Sequence, residues 1–278
     1  IRSSYPEGLE KLKGDYELAM AVPEKMITFR TKCLNQWVQA TENGYMDMEK
    51  WRRCKVDKMP YDLKGKEVYV GFDLSAKIDL TSVSFILPVL DGDTVKYCLY
   101  SHSFVPSEEK LREREVKDKA PYTAWREMGY LTVTNSEIVD QSAVMDYVLK
   151  TCKDNGWAIV CLCFDPSGAG KLMMDLSNEG YDVEEVYQSQ RSLNEATLGF
   201  REQVYCGNVI FENNPLLTFA MGNATVRSNQ GYIKIDKDVK KKRIDPVDAT
   251  LCAFKLAMYH EFSDGGQSLE EWLDSDDW

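Results

Sequence analysis

Trp157-Ala-Ile-Val-Cys-Leu-Cys-Phe164 is a nearly unbroken apolar run, and Asp165-Pro166 closes it. A strand of that composition has no polar face to offer water, so it belongs in a sheet covered on both sides by helices. A second run, Glu67-Val-Tyr-Val-Gly-Phe-Asp73, also ends in Asp, and a third, Thr81 to Leu90, follows almost at once. A carboxylate delivered to the tip of a buried strand is costly unless something neutralises it. If the two Asp-ended strands are parallel neighbours, both carboxylates emerge at one edge, where open α/β sheets place their sites.

The other segments fit a layered fold. Val68–Asp73, Val83–Leu90 and Val95–Val105 read as consecutive antiparallel strands, the last two joined by an Asp91-Gly92-Asp93 turn. Ser107 is a suitable N-cap for a charged helix, and Leu131–Thr134 reads as a short strand. Ile138, Val139, Val144, Tyr147, Val148 and Cys152 recur at helical spacing in a helix expected from Ser136. Further on, residues 170–178, 193–205, 215–226 and 246–262 read as helices. Residues 183–187 and 208–212 read as strands, and Tyr232–Asp236 as one arm of a hairpin. The expected fold is a mixed α/β sheet of five or more strands flanked by helices. Residues 1–62 show helix-like stretches at 20–37 and 46–53 without strands, and are expected to form a helical linker or docking segment. The main domain is expected over 63–262, with an acidic tail at 263–278.

Charge is unevenly spread. The net charge is -11, and Glu261 to Trp278 holds seven acids with no Lys or Arg. Disorder is expected for that tail. Lys234, Lys237, Lys240, Lys241, Lys242 and Arg243 crowd together just before Asp245, where they suit phosphate contact. No apolar stretch reaches the roughly 20 residues of a membrane span, so no membrane partner is expected. The chain opens Ile1-Arg2-Ser3-Ser4 without Met and reads as an excised fragment. Eight Cys without a CxxC pair suggest free, buried thiols in a reducing cytosol, with Cys161 and Cys163 on one strand face. With two His, a zinc site is not expected.

Asp73, Asp165 and Asp245 each stand at a strand end or helix start, where side chains can be aimed at one point. Three such carboxylates ionise together only around a cation. Hard oxygen donors suit Mg²⁺ or Mn²⁺. Two ions roughly 3.5–4 Å apart would activate water and stabilise the leaving oxygen of a phosphodiester. Asp248, one helical turn beyond Asp245, is the alternative third ligand, although an acid there also suits the helix dipole.

Gly71-Phe-Asp-Leu-Ser75 with Asp79-Leu-Thr81, Cys163-Phe-Asp-Pro166, Tyr187-Gln-Ser-Gln190 and Lys242-Arg-Ile-Asp-Pro-Val-Asp-Ala249 occur in that order. In this the chain resembles the nuclease domain of the large terminase subunit of tailed double-stranded-DNA phages, over about residues 65–262. The resemblance implies an RNase H-like fold and a Mg²⁺- or Mn²⁺-dependent endonuclease with two metal ions. It would cut concatemeric viral DNA during genome packaging with little sequence preference. Asp73, Asp165 and Asp245 would be the metal triad, with Asp248 the contender for the third place. Lys77, Lys240, Lys241, Lys242 and Arg243 would contact DNA phosphates. The implied partners are double-stranded DNA, the ATPase domain of the same polypeptide, the portal protein and the small terminase subunit, in the host cell cytoplasm.

Rival readings are weaker. Ser167-Gly-Ala-Gly-Lys171 imitates a phosphate-binding loop, but Asp165 stands where its first Gly is needed and Leu172 where Ser or Thr is needed. An actin-like or sugar-kinase-like ATP-binding domain would need glycines after Asp73, where Leu74-Ser-Ala-Lys77 stands. A DNA clamp with a degenerate metal site fits poorly with a full carboxylate set. A resolvase- or transposase-type RNase H-like nuclease would share the carboxylates and the basic loop.

Overall fold

The computed structural model describes residues 6–34, 44–74, 80–229, 231–237 and 243–262. The helix expected over 20–37 is broken: α1 (Pro6–Ala21) ends before Pro23, and α2 (Pro23–Thr28) runs into a π-helical turn, Phe29–Cys33. Proline has no N–H to continue a helix but fits its first position, so Pro23 ends one helix and starts the next. Then come α3 (Met48–Arg53), capped by the Asp47 carboxylate, and the short edge strand β1 (Lys55–Val56).

Strands β2 (Glu67–Asp73), β3 (Thr81–Asp91) and β4 (Thr94–Val105) form the expected antiparallel meander. They lead to α4 (Glu108–Asp118), α5 (Tyr122–Glu127) and β5 (Leu131–Val133). Ser107 does cap α4. The next helix starts later than expected, as α6 (Gln141–Asn155), because Asp140 supplies the capping carboxylate. The rest alternates: β6 (Ala158–Phe164), α7 (Gly170–Asn178), β7 (Val183–Glu185), α8 (Gln190–Tyr205) and β8 (Val209–Glu212). Residues 215–226 do not form one helix. Helix α9 (Pro215–Asn223) stops, and β9 (Ala224–Asn229) pairs with β10 (Tyr232–Lys237) as a hairpin. The last helix is α10 (Asp245–Ala257).

The sheet order is β1-β8-β4-β3-β2-β6-β7, with β5 also on β4. β2 and β6 are neighbours and parallel, with Phe72 opposite Phe164. Side chains alternate across this sheet with the period of two that a strand imposes. Val68, Val70, Phe72, Leu162 and Phe164 face α6 and α7, whereas Tyr69, Cys161 and Cys163 face α8 and α10. The two thiols thus share a face, as expected. Trp51 of α3 stacks on Phe211 of β8 at 4.2 Å, and Tyr45 is buried, so the core reaches back to the residues preceding β1. Among the described residues no helix is long and apolar enough to cross a membrane.

On the α6 side, His102 stacks on Tyr147 at 4.1 Å, and its Nε2 lies 2.8 Å from Thr132 Oγ1. Burial pushes its pKa down to about 4. The unfolded chain takes up this proton near pH 6.5, the folded chain only near 4. Stability gained by keeping His102 neutral is therefore complete above about pH 6.5 and lost as the pH falls toward 4, by roughly 3 kcal/mol. Urea midpoints at pH 7 and pH 5 should fall less in His102→Phe than in the native chain. Equal falls would remove His102 as the cause.

Candidate metal centre

The parallel register of β2 and β6 aims two carboxylates at one place. Phe72 pairs with Phe164, so Asp73 and Asp165 are the next residues out at the same end of adjacent strands. Neighbouring strands lie about 4.8 Å apart. By alternation both Asp side chains belong to the face that carries α10, with Tyr69 and Gly71 on one strand and Cys161 and Cys163 on the other. Beyond β6 the Ser167 N–H donates to Asp165 Oδ1 at 3.2 Å, and Gly168 turns left-handed at φ 85° before α7.

Helix α10 lies directly on this face. A Cβ on Gly71 would fall 2.1 Å from the Ala249 carbonyl oxygen and 2.5 Å from the Ala253 nitrogen, so only glycine lets the helix backbone come this close. Ser84, opposite Gly71, donates to the Pro246 carbonyl at 3.3 Å and lies 3.0 Å from Thr250 Oγ1. Past the other end of the helix, His260 Nδ1 is 3.2 Å from the Tyr69 hydroxyl. The helix therefore runs antiparallel to β2, and its first turn stands over Asp73. Ser82, paired with Asp73, shares a hydrogen bond of 2.9 Å with Ser103 of β4, which extends a buried polar stripe along the same edge.

Electrostatics separates the two acids of that first turn. Burial pushes the Cys252 thiol well above its ordinary value, and the charges of Asp248, Asp73 and Asp165 push it further. Cys252 stands one turn after Asp248 and is fully buried, within electrostatic reach of all three carboxylates. Asp245 acts on a second group of side chains. Burial raises the Asp118 carboxyl, against the Tyr122 hydrogen bond and the charges of Arg114 and Lys117, and Asp245 raises it further. The Tyr122 hydroxyl is raised by burial and by Asp118, with a smaller contribution from Asp245.

The expected site residues thus divide. Asp73 and Asp165 come together at one sheet edge, Asp248 lies on the first turn of the helix over it, and Asp245 lies within electrostatic reach of Asp118. Arg243, expected to face phosphate, is 3 % exposed, and its Nε lies 3.6 Å from Asp118 Oδ2, so its guanidinium is committed to the interior. Lys77, Lys240, Lys241, Lys242, Asp79 and the acidic tail lie outside the described residues. Sequence reasoning passed over Gly71, Cys252 and Asp118. Only Gly71 carried a local signal: glycine within a strand marks a close backbone approach.

Among the described residues no group of three or more His, Cys, Asp or Glu side chains is placed to hold a metal ion. The donors fit a hard divalent cation all the same. Mg²⁺ takes one or two carboxylates and completes its shell with water and substrate phosphate, so an open set of oxygens is what it needs.

Residues 4–261 match the family described as terminase large subunit, endonuclease domain. The chain is 26% identical over 246 residues to the protein YmfN of Escherichia coli K12, covering 85% of this chain and 53% of that protein. It is 25% identical over 203 residues to the terminase large subunit of Lactococcus phage p2, covering 69% of this chain and 36% of that one. The crystal structure of the HK97 bacteriophage large terminase superposes with a TM-score of 0.67 at 26% identity, over 87% of this chain and 49% of that chain. The chain thus spans about half, or less, of the length of these relatives.

Proposed function

The chain belongs to the family of terminase large-subunit endonuclease domains, and from that premise we propose that it is a Mg²⁺- or Mn²⁺-dependent endonuclease that hydrolyses double-stranded DNA phosphodiesters. The observation that supports this reading is the parallel pairing of β2 with β6, which brings Asp73 and Asp165 to the same end of adjacent strands. In this reading Asp73, Asp165 and Asp248 hold a pair of ions. Bound there, the metal supplies Lewis-acid activation of water and offsets the charge on the leaving oxygen. The three carboxylates orient that chemistry against the strand tips, and the lysines at 77 and 240–242 attract the DNA backbone. Phosphate contacts confer affinity without sequence choice and weaken steeply with salt.

Packaging gives such a cutter its place. The substrate is concatemeric viral DNA in the host cytoplasm, and the partners are the ATPase domain of the same polypeptide, the portal protein and the small terminase subunit. Plasmid DNA should be nicked and linearised with Mn²⁺ or Mg²⁺, and EDTA should stop it. Cutting that persists in EDTA would overturn the metal requirement. A melting temperature raised by ATP instead of Mn²⁺ would favour nucleotide binding.

The two acids of α10 should part in the same assay. Asp248→Asn is expected to lower cutting by about 10³-fold even at high Mn²⁺, a loss of roughly 4 kcal/mol of transition-state stabilisation. Asp245→Asn, acting through its neighbours, should weaken apparent Mn²⁺ affinity by about 10- to 100-fold and recover activity as Mn²⁺ is raised. The reverse ranking would make Asp245 the third ligand.

A further inference from the structure

Arg114 and Asp118 of α4, Tyr122 of α5, and Arg243 and Asp245 at the start of α10 form one polar cluster inside the protein. Arg114, Tyr122, Arg243 and Asp245 are buried, and the Asp118 side chain is 1% exposed. The Tyr122 hydroxyl donates to Asp118 Oδ2 at 2.9 Å, and Arg243 Nε is 3.6 Å from that same oxygen. Arg114 stands one turn before Asp118 on α4, and its charge favours the ionised Asp118. Asp245 acts on both Asp118 and Tyr122. Arg243 thus lies against Asp118, with Arg114 and Asp245 within electrostatic reach of the same carboxylate.

Such a cluster is a poor source of stability. Each ion costs several kcal/mol to desolvate, and mutual attraction only about repays it. What it can do well is specify geometry, because any displacement leaves a buried charge unmatched. Its members belong to α4, α5 and the entry to α10, and Asp248 lies one turn further along α10. The Asn223 side-chain amide adds a third tie by donating to the Arg243 carbonyl at 3.3 Å. Gly71 fixes how close α10 lies to the sheet, but at Ala249 and Ala253, beyond Asp248. Ser84 holds the Pro246 carbonyl of the first turn at 3.3 Å on the sheet side, and a second point of attachment on the α4 side would fix its rotation and its position along the axis.

We infer that Asp118, with Arg114, Tyr122, Arg243 and Asp245, is an ionic clasp that positions the first turn of α10 and so holds Asp248 at the metal site. This rests on the reading of Asp73, Asp165 and Asp248 as the metal carboxylates. Asp118 is then a positioning residue. The clasp also sets where the lysine-rich segment joins the catalytic helix, since Arg243 is both its last basic residue and a clasp member.

The test is Asp118→Asn in the 278-residue chain. It keeps an oxygen for Tyr122 and removes the charge that balances the arginines. With no metal present, amide exchange over residues 247–251 should quicken at least tenfold, with residues 252–257 little changed. Binding of Mn²⁺ alone, by calorimetry, should weaken about tenfold, and kcat at saturating Mn²⁺ should fall by less than the affinity does. Unchanged exchange with unchanged Mn²⁺ affinity overturns the clasp. So does exchange that quickens evenly across the sheet, which would mean general destabilisation. Tyr122→Phe keeps the ring and deletes one hydrogen bond. Should Asp118→Asn fail to fold, the same local exchange and affinity shifts, smaller in size, decide the matter there. Asp73→Asn separates the two ideas. If it binds Mn²⁺ as the native chain does, the site reading falls. If it loses Mn²⁺ while Asp118→Asn keeps native affinity, only the clasp falls.

Discussion

Asp73→Asn and Asp165→Asn are each expected to reduce Mn²⁺-dependent plasmid cleavage by about 10³-fold or more while the folded state persists. Each substitution is nearly isosteric and removes one negative oxygen from the sheet edge. Both residues are half-buried at strand tips, outside the apolar core, so no cavity forms. Without metal, fewer like charges share the site, and the melting temperature should hold or rise slightly. Loss of cutting with an unchanged or higher melting temperature is thus the signature of a metal ligand. A variant that cuts normally removes its residue from the site. A variant that melts far below the native chain shows a structural role instead.

Gly71→Ala should do more to the molecule than either. A β-carbon there would stand 2.1 Å from a helix carbonyl oxygen and 2.5 Å from a helix nitrogen. Both belong to the backbone of α10, so no rotamer change relieves the clash. The helix must lift or β2 must bend. Overpacking of this kind costs about 3 kcal/mol or more, which for a domain of this size lowers the melting temperature by roughly 6–12 °C. Cutting should fall with it, because Asp248 rides on the displaced helix and Asp73 lies two residues beyond the clash. Gly199→Ala is the control. Its β-carbon would meet the mobile end of Met258 at 3.4 Å, inside α8, where alanine favours a helix by up to about 1 kcal/mol. Equal stability losses for the two variants would refute the close-approach argument.

How far the sequence could be read depends on the range of the forces involved. β2, β3, β4 and β6 were legible because their side-chain patterns and turn residues act within a few positions. The stretch 215–226 was not. Its apolar residues continue a helical pattern through Ala224-Thr-Val226, and only pairing of those residues with β10 makes them a strand. β1 escaped notice because two residues carry no pattern. Its place comes from pairing with β8.

The site divides the same way. Asp73 and Asp165 stand out because an apolar run that ends in a carboxylate announces both the strand and its tip. Asp245 and Asp248 cannot be ranked locally, since three residues on a helix separate them by only 60° of rotation and about 4.5 Å of rise. Arg243 looks like one more exposed cation among lysines until Asp118, far back in the chain, turns out to pair with it.

The sequence by itself determined the layered α/β class and the two strand-tip carboxylates. Each follows from the local alternation of apolar side chains. Only the tertiary structure decided that the first turn of α10, which carries Asp245 and Asp248, stands over the strand tips of Asp73 and Asp165. That placement depends on how α10 is seated: against Gly71 on the sheet, where a missing side chain admits the helix backbone, and beside α4, where Arg243 Nε lies 3.6 Å from Asp118 Oδ2.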